Sequence, residues 1–264
     1  MSTVVPEARQ CDVPRLSVII PARSESERIG WVLEGLFEAV RLPCEVLVVV
    51  DSAGDSTVPV VDSYAEKEPR LACLVSSYGS GPANAIRFGM DAAAGEVLVV
   101  MMADGSDDPA QVDQLARLVE RGVAVAVASR YMPGGRQVGG PALKRLLSRA
   151  AGRSLQLLAR PGTCDATNSF KAYSAAFVRA AGVESRRGFE IGIELTAKAR
   201  RQRLPVAEIP TIWLDQPGRR SGFRLVSWLP AYLRWYLFCF GRRLPAAPTP
   251  AAVAMQPAGR GERR

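Results

Sequence analysis

The stretch VLVVMMADGSDDP, residues 97–109, sets the fold prediction for this chain. A strongly apolar run ends abruptly in three acids, Asp104, Asp107 and Asp108, with a glycine and a serine among them. In an open α/β sheet, the carboxyl ends of the strands border the ligand crevice. Acids placed there can be partly desolvated and still reach a ligand. The alternative interpretation is structural: Asp107 or Asp108 caps the next helix and Pro109 opens it.

The same pattern of a short apolar run followed by an amphipathic segment recurs along the chain. It predicts a doubly wound, mostly parallel α/β sheet with helices on both faces. Each apolar run leads into a polar segment, and the carboxyl ends of parallel strands share one edge, so these segments should converge on one crevice. The predicted strands are 16–22, 45–51, 71–77, 96–104 and 123–131.

Composition narrows the possible functions. The chain has 264 residues, 48% of them hydrophobic, which is enough for one substantial core. It has no histidine, which excludes Ser-His-Asp hydrolysis, Cys-His proteolysis and His-ligated zinc. The five cysteines are widely spaced and include no CxxC pair, so they indicate neither a disulfide framework nor a zinc ribbon. A protein of the reducing cytosol fits this pattern best. The net charge of +8 indicates an anionic partner, which could be a nucleic acid, a phosphorylated substrate or an anionic membrane.

Four regions are predicted. Residues 1–15 are a disordered leader without the apolar segment of a signal peptide, and residues 16–225 form the folded domain. Residues 226–244 form an amphipathic aromatic and basic helix, too short and too interrupted to span a bilayer. The Pro/Ala-rich residues 245–264 are a disordered tail.

The chain has neither a GxGxxG motif after the first strand nor a P-loop motif, which argues against a dinucleotide-binding or P-loop enzyme.

A set of motifs in a fixed order resembles the family 2 glycosyltransferases of the GT-A fold, and most closely the dolichol-phosphate mannosyltransferase (polyprenyl-phosphate glycosyl synthase) group. The resemblance covers roughly residues 16–236 and departs from the family at several positions, including the terminal segment, where Asp215 is followed by Gln216 and Gly218 sits one place early. Ser24 stands where the family usually has Asn, Val50 replaces an Asp, and Met102 replaces the first carboxylate of an Asp-Ala-Asp motif. The matching segments are SVIIPARSESERI, VVVDSAGDST, GPANAIRFGMDAAAGEVLVVMMAD, SRYMPGG, DATNSFKAY, GFEIGIEL and EIPTIWLDQPGRRSGFRL.

The resemblance implies an inverting enzyme that moves mannose or glucose from GDP-mannose or UDP-glucose to a polyprenyl phosphate, with Mg²⁺ or Mn²⁺ on the diphosphate. Such an acceptor is already an anion, so no general base is needed. Two alternatives stay open: a nucleotide-sugar-binding domain with weak or no transferase activity, and a transferase with a non-lipid acceptor. An RNA-binding α/β protein is a third, but the basic residues lack interleaved exposed aromatics outside the last helix, so no nucleic-acid partner is expected.

The resemblance also assigns roles to residues. Asp104 and Ser106 should hold the metal, with Asp107 as a further candidate oxygen. Catalytic roles fall to Asp104, Arg130 and Asp165. The nucleotide sugar should meet Pro21, Ala22, Arg23, Glu25, Asp51, Ala103 and Asp104, and the acceptor should meet Asn168, Lys171, Arg219, Arg220 and Arg224.

Two helical patterns have more than one interpretation. Glu190 and Glu194 lie one turn apart and share a helix face, either as a solvated edge or as a salt-bridged anchor for nearby arginines. In the last helix, aromatic residues recur every three or four positions beside several arginines, which is typical of a core element or of a membrane-interface helix. The interface interpretation predicts a cytoplasmic protein bound peripherally to the inner face of the membrane. The aromatic residues are Trp228, Tyr232, Trp235, Tyr236 and Phe240.

Overall fold

The computed structural model describes residues 14–215 and 225–244, without the side chains of Lys144, Leu225 and Val226. Most of the predicted leader, all of the predicted tail, and the predicted acceptor residues Arg219, Arg220 and Arg224 therefore lie outside the described residues. The strands are β1 (Leu16–Ala22), β2 (Cys44–Val50), β3 (Leu71–Val75), β4 (Val97–Val100), β5 (Val125–Ser129), β6 (Arg136–Val138), β7 (Lys171–Ser174), β8 (Val206–Pro210) and β9 (Ile212–Leu214).

Helices connect these strands and cover both faces of the main sheet. The helices are α1 (Ile29–Ala39), α2 (Val58–Ala65), α3 (Pro82–Ala92), α4 (Val112–Glu120), α5 (Ala142–Leu158), α6 (Ala175–Ala181), α7 (Ile191–Arg201) and α8 (Leu225–Phe238). Alternate residues of β1 face opposite layers: Val18 and Ile20 pack with α1 and α4, and Ile19 packs with α3. Burial on both faces explains why the strands read as unbroken apolar runs.

The main sheet has seven strands in the order β3-β2-β1-β4-β7-β5-β8. All neighbours are parallel except β7, which runs antiparallel between β4 and β5. β6 and β9 form a separate two-stranded sheet. The predicted mostly parallel sheet with helices on both faces is confirmed, and the carboxyl ends of β1 to β5 lie at one edge.

β4 is shorter than predicted and ends at Val100 rather than at Asp104. The Met101 N–H still donates to the Ile19 carbonyl of β1. The next N–H, that of Met102, turns away and donates to the Asp107 carboxylate at 3.0 Å. The chain therefore leaves the sheet at Met102, which places residues 102–107 over the edge where the crevice opens.

The last helix, α8, packs its aromatic side on the domain. Trp235 is only 2% exposed and lies in a cluster with Leu155 of α5 and Ile193 of α7. The membrane-interface interpretation is therefore wrong for Trp235, because its ring is already buried in protein. The outward residues of the helix are leucines spaced four apart, each at least half exposed: Leu229, Leu233 and Leu237.

Candidate active site

A large cleft of about 1150 Å³ opens at the carboxyl edge of the main sheet. Its floor and one wall come from the segments that follow β1, β2, β3, β4 and β5, as the sequence predicts. Its other wall comes from α5, α8 and the segment before α7. The cleft therefore has a polar half over the sheet edge and an apolar half between helices.

The polar floor is built around Asp104. This carboxyl group is 5% exposed, and its Oδ1 accepts from the backbone N–H of Ser106 at 3.0 Å and from the Ser106 hydroxyl at 2.6 Å. Gly105 between them has φ +73°, and a Cβ atom at this position would overlap the Trp31 ring, so only glycine fits. The turn holds two hard oxygens, from Asp104 and Ser106, side by side in the cleft.

Asp107 does not line the cleft. Its carboxyl group is 6% exposed and is turned toward the backbone of Met102. Burial, and then the nearby Asp104 carboxylate, raise the pKa of Asp107 to about 7. Met102 itself lines the cleft, at the position where the family motif has its first metal-binding carboxylate. The loop after β4 therefore presents one carboxylate to the cleft, that of Asp104, where the family motif has two.

The loop after β1 forms the side of the cleft next to Asp51. Ser24 has φ +55° and its N–H donates to both oxygens of Asp55 at 3.0 Å. The Glu25 N–H donates to the Thr57 hydroxyl, so the β1 and β2 loops are held together. Burial acts to raise the pKa of Asp55, but its hydrogen bonds from Thr57 and Ser24 lower it overall, so it stays an acceptor.

Asp51, at the end of β2, lies between the first and third loops. Both of its oxygens accept from the Gly81 N–H at 3.2 Å. Gly81 has φ +112°, and its backbone passes close to the Arg187 carbonyl, which leaves no room for a side chain. A second recess of about 450 Å³ adjoins the cleft beside Asp51 and is lined by serines, Gly54 and Asp55. A carboxylate beside a recess of this kind can accept from a planar N–H donor such as a nucleobase edge.

Arg130 follows β5 and enters the cleft as a fixed cation. The Asp165 carboxylate accepts from its Nε at 2.7 Å, its Nη2 at 2.9 Å and its backbone N–H at 3.0 Å. Burial acts to lower the pKa of Arg130, but Asp165 raises it overall. The same guanidinium donates to the Ser148 hydroxyl of α5 at 3.3 Å. This geometry fits the recognition of a phosphate by a preoriented guanidinium.

Asp165 and Lys171 lie beneath the cleft rather than in it, and both are 0% exposed. Lys171 donates from Nζ to the carbonyls of Ala166 and Asn168. Burial, opposed by Asp165, lowers its pKa to about 7. The prediction that Lys171 contacts the acceptor is therefore wrong. Its ammonium group lies beneath the cleft and holds the backbone of residues 166–168 in place. Asp165 likewise orients Arg130 and does not face the cleft.

Glu190 and Glu194 are buried, at 1% and 0% exposure, so the interpretation as a solvated edge is wrong. Glu190 accepts from the N–H groups of Arg187 and Gly188, and so shapes the segment before α7. Glu194 accepts from Lys198 one turn on, at 2.7 Å. Both glutamates thus stabilise the cleft wall.

The apolar half of the cleft lies between α5 and α8. Tyr236 of α8 donates to the Ser154 hydroxyl of α5 at 2.9 Å, which joins the two helices. Phe189 and Trp228 meet edge to face at 5.9 Å between ring centres and close one end. Leucines from both helices complete this wall: Leu147, Leu229 and Leu233.

The cleft brings together most of the residues that the sequence predicts. It is lined by Pro21, Ala22, Arg23, Glu25, Asp51, Ala103, Asp104, Ser106, Arg130 and Asn168. Sequence reasoning missed the α5 contribution, including Ser148, and the segment with Arg187 and Phe189. The apolar periodicity of residues 142–158 was the available signal for α5, but only the packing shows that it faces a cleft.

Comparison with known proteins agrees with the family resemblance. Residues 17–181 match the family described as Glycosyl transferase family 2. The chain is 28% identical over 208 residues to the undecaprenyl-phosphate mannosyltransferase of Micrococcus luteus, which covers 76% of this chain and 84% of that protein. It is 30% identical over 209 residues to the polyprenol monophosphomannose synthase of Mycolicibacterium smegmatis, which covers 76% of this chain and 78% of that protein.

Among solved structures, the glucosyl-3-phosphoglycerate synthase of Mycobacterium tuberculosis has a similar fold. Its complex with Mn²⁺, UDP-glucose and phosphoglyceric acid superposes with a TM-score of 0.65 over 92% of each chain, at 16% identity. The complex of the same enzyme with Mn²⁺, UDP and glucosyl-3-phosphoglycerate gives a TM-score of 0.62 at 15% identity. At these identities the likeness supports the GT-A fold alone.

Proposed function

This chain belongs to glycosyl transferase family 2, and from its cleft we propose that it transfers a hexose from a nucleotide diphosphate sugar to a polyprenyl phosphate. One observation carries the proposal: the polar half of the cleft, with Asp104 and Arg130, is continuous with an apolar half between α5 and α8. An anionic headgroup joined to a long hydrocarbon chain matches both halves at once. The names of the two bacterial relatives support the same acceptor class.

The donor fits the side of the cleft near Asp51. The base would lie against Asp51, Arg23 and the recess beside them, with GDP-mannose and UDP-glucose as the candidate donors. The diphosphate would then lie over Asp104 and Ser106, whose oxygens suit a small divalent cation when phosphate oxygens complete its shell. When bound there, Mg²⁺ or Mn²⁺ neutralises the charge that develops on the leaving diphosphate.

The chain's own residues account for the acceptor side. Arg130, held in place by Asp165, and Ser148 form a cationic and hydrogen-bonding pocket for the acceptor phosphate. A phosphate oxygen attacks the anomeric carbon as the bond to the diphosphate breaks, and this single displacement inverts the configuration. Because the nucleophile is already ionised, the absence of histidine does not limit the reaction.

A membrane surface is part of the proposal because the acceptor resides there. The described residues contain no helix long and apolar enough to cross a bilayer. Exposed leucines extend beyond the cleft on both helices that form its apolar wall, with Leu157 and Leu158 of α5 more than 70% exposed. Together with the positive net charge, these residues favour peripheral binding at an anionic membrane, such as the inner face of the cytoplasmic membrane.

A transfer assay that varies the length of the acceptor chain tests the proposal. Purified protein is given radiolabelled GDP-mannose or UDP-glucose and isoprenyl phosphates of increasing length. We expect KM for the acceptor to fall as isoprene units fill the apolar half. Replacing both Leu229 and Leu233 with Ser should raise KM about tenfold for the long acceptor and little for the shortest, since a few buried methylenes contribute about 0.8 kcal/mol each.

Leu157→Ser is the matched control, because Leu157 is 75% exposed on α5 and does not line the cleft. It should leave both KM values near wild type in detergent. Equal transfer to short and long acceptors would favour the non-lipid alternative. Donor binding without transfer to any of them would favour the binding-only alternative.

A further inference from the structure

The loop that follows β4 supplies an unusual set of groups for a divalent cation. Met102 places a thioether and methyl group in the cleft where the family motif has its first carboxylate. Asp104 is the carboxylate of this loop that lines the cleft, and Ser106 adds a neutral hydroxyl. Mg²⁺ and Mn²⁺ prefer oxygen ligands, and a thioether is a poor ligand for either.

Asp107 does not make up for the missing carboxylate. It is buried outside the cleft and accepts the Met102 N–H, so moving it into the cleft would break that bond. Within residues 14–215 and 225–244, no group of three or more Asp, Glu, His or Cys side chains is arranged to hold a metal ion. Without nucleotide, this loop thus offers a cation one carboxylate and one hydroxyl.

The cleft also contains several cations. Arg130 is fixed by Asp165, and Arg23, Arg28 and Arg187 line the same space. Arg130 is paired with Asp165 and Arg28 lies 3.7 Å from Glu25, so the charges of the cleft are mixed and the arginines bind anionic groups without creating a cation site. Guanidinium groups placed in this way favour a diphosphate. A cation already bound to a diphosphate carries little net positive charge, and it brings phosphate oxygens that complete its shell.

We infer that Met102 makes divalent-cation binding conditional on the nucleotide: the cation enters as the complex with a nucleoside diphosphate or nucleotide sugar, and the free protein does not retain it. This inference deepens the proposed function and rests on it. A site with two carboxylates could be loaded with metal first, whereas this one cannot. Position 102 therefore sets the order in which cation and donor bind.

Electron paramagnetic resonance of Mn²⁺ tests the inference without measuring transfer. Wild-type protein titrated with Mn²⁺ alone should leave the free-ion signal unchanged, and addition of GDP or UDP should remove signal in proportion to protein. Met102→Asp should bind Mn²⁺ without nucleotide, at least about tenfold more tightly than wild type, which corresponds to about 1.4 kcal/mol. The double variant Met102→Asp, Asp104→Asn should lose this gain.

Met102→Asn is the matched control, because it has the shape of Asp without the charge and should bind Mn²⁺ as weakly as wild type in the absence of nucleotide. Thermal unfolding checks that each variant is folded. If wild type alone binds Mn²⁺ as tightly as Met102→Asp does, or if Met102→Asp gains nothing, the inference is overturned. If neither GDP nor UDP binds with or without Mn²⁺, it is instead the proposed function that fails.

Discussion

At the scale of single residues, this protein places carboxylates of one short loop in different environments. Asp104 faces the cleft, and Asp107, three residues later, is buried against the backbone. The same contrast separates Arg130, which reaches the cleft, from Asp165, which holds it from below. Asp104 and Asp107 are chemically identical, so their different roles follow from burial; Arg130 and Asp165 likewise differ in whether they reach the cleft.

The pH dependence of stability should reveal the burial of Asp107. Burial and Asp104 raise its pKa to about 7, whereas an unfolded Asp titrates near 3.9. Between these values the folded state binds a proton that the unfolded state has lost, so stability falls as pH rises from about 4 to 7. Asp107→Asn removes this loss and keeps an acceptor for the Met102 N–H.

We expect the gain in melting temperature of Asp107→Asn to be small at pH 4, to grow up to pH 7 and to level off above it, corresponding to at least about 1 kcal/mol there. Thermal unfolding in a chelator, followed by circular dichroism, is the measurement. Asp108→Asn is the control, since Asp108 caps the next turn from the exposed surface. A gain in melting temperature that is equal at every pH would contradict the raised pKa of Asp107.

At the scale of elements, α8 has two different faces. Its aromatic face packs on α5 and α7, where the Trp235 ring lies against Leu155 and Ile193 and its centre is 5.2 Å from the Lys198 ammonium. Arg234 pairs with Glu184 at the rim of this contact. The leucine face is about half exposed, and Leu229 and Leu233 on it line the apolar half of the cleft. The helix is thus a part of the domain that closes the apolar half of the cleft.

Substitutions on the two faces of α8 should have different effects on stability. Trp235→Ala leaves a large hole between α5, α7 and α8, and we expect a loss of about 3 kcal/mol in the free energy of unfolding or local detachment of α8. Leu237→Ala, at a position that is 59% exposed, should change it by less than about 0.5 kcal/mol. Denaturant unfolding together with hydrogen exchange of α8 measures both, and equal effects would show that α8 does not pack as described.

At the scale of the whole molecule, charge and exposed apolar surface act together. The net charge of +8 attracts an anionic surface over a Debye length of about 8 Å at physiological salt. Leucines on α5 and α8 flank the Tyr236 to Ser154 contact and can insert into the interface. The electrostatic attraction weakens with salt, and the insertion of the leucines does not.

Vesicle flotation separates these two contributions. Wild type should float with anionic vesicles at low salt and only in part at high salt. Replacing Leu157, Leu158 and Leu237 with Ser should abolish the salt-resistant part, and it leaves the cleft-lining leucines in place. Replacing Arg242 and Arg243, both exposed, with Gln should reduce the salt-sensitive part. Wild type that fails to float with anionic vesicles at low salt would contradict membrane binding.

The amino-acid sequence by itself determined the strand and helix alternation, the polar edge and the departure at Met102, because apolar periodicity and loop composition are local properties. Only the tertiary structure decided which of those polar residues reach the cleft. The sequence predicts Lys171 and Asp165 as site residues, but packing buries both beneath the cleft. The aromatic stripe of α8 is compatible with a membrane or with a core, and contact with α5 and α7 shows that Trp235 is core, with Tyr232 and Tyr236 partly buried beside it. Burial depends on neighbours distant in sequence, which no local pattern specifies.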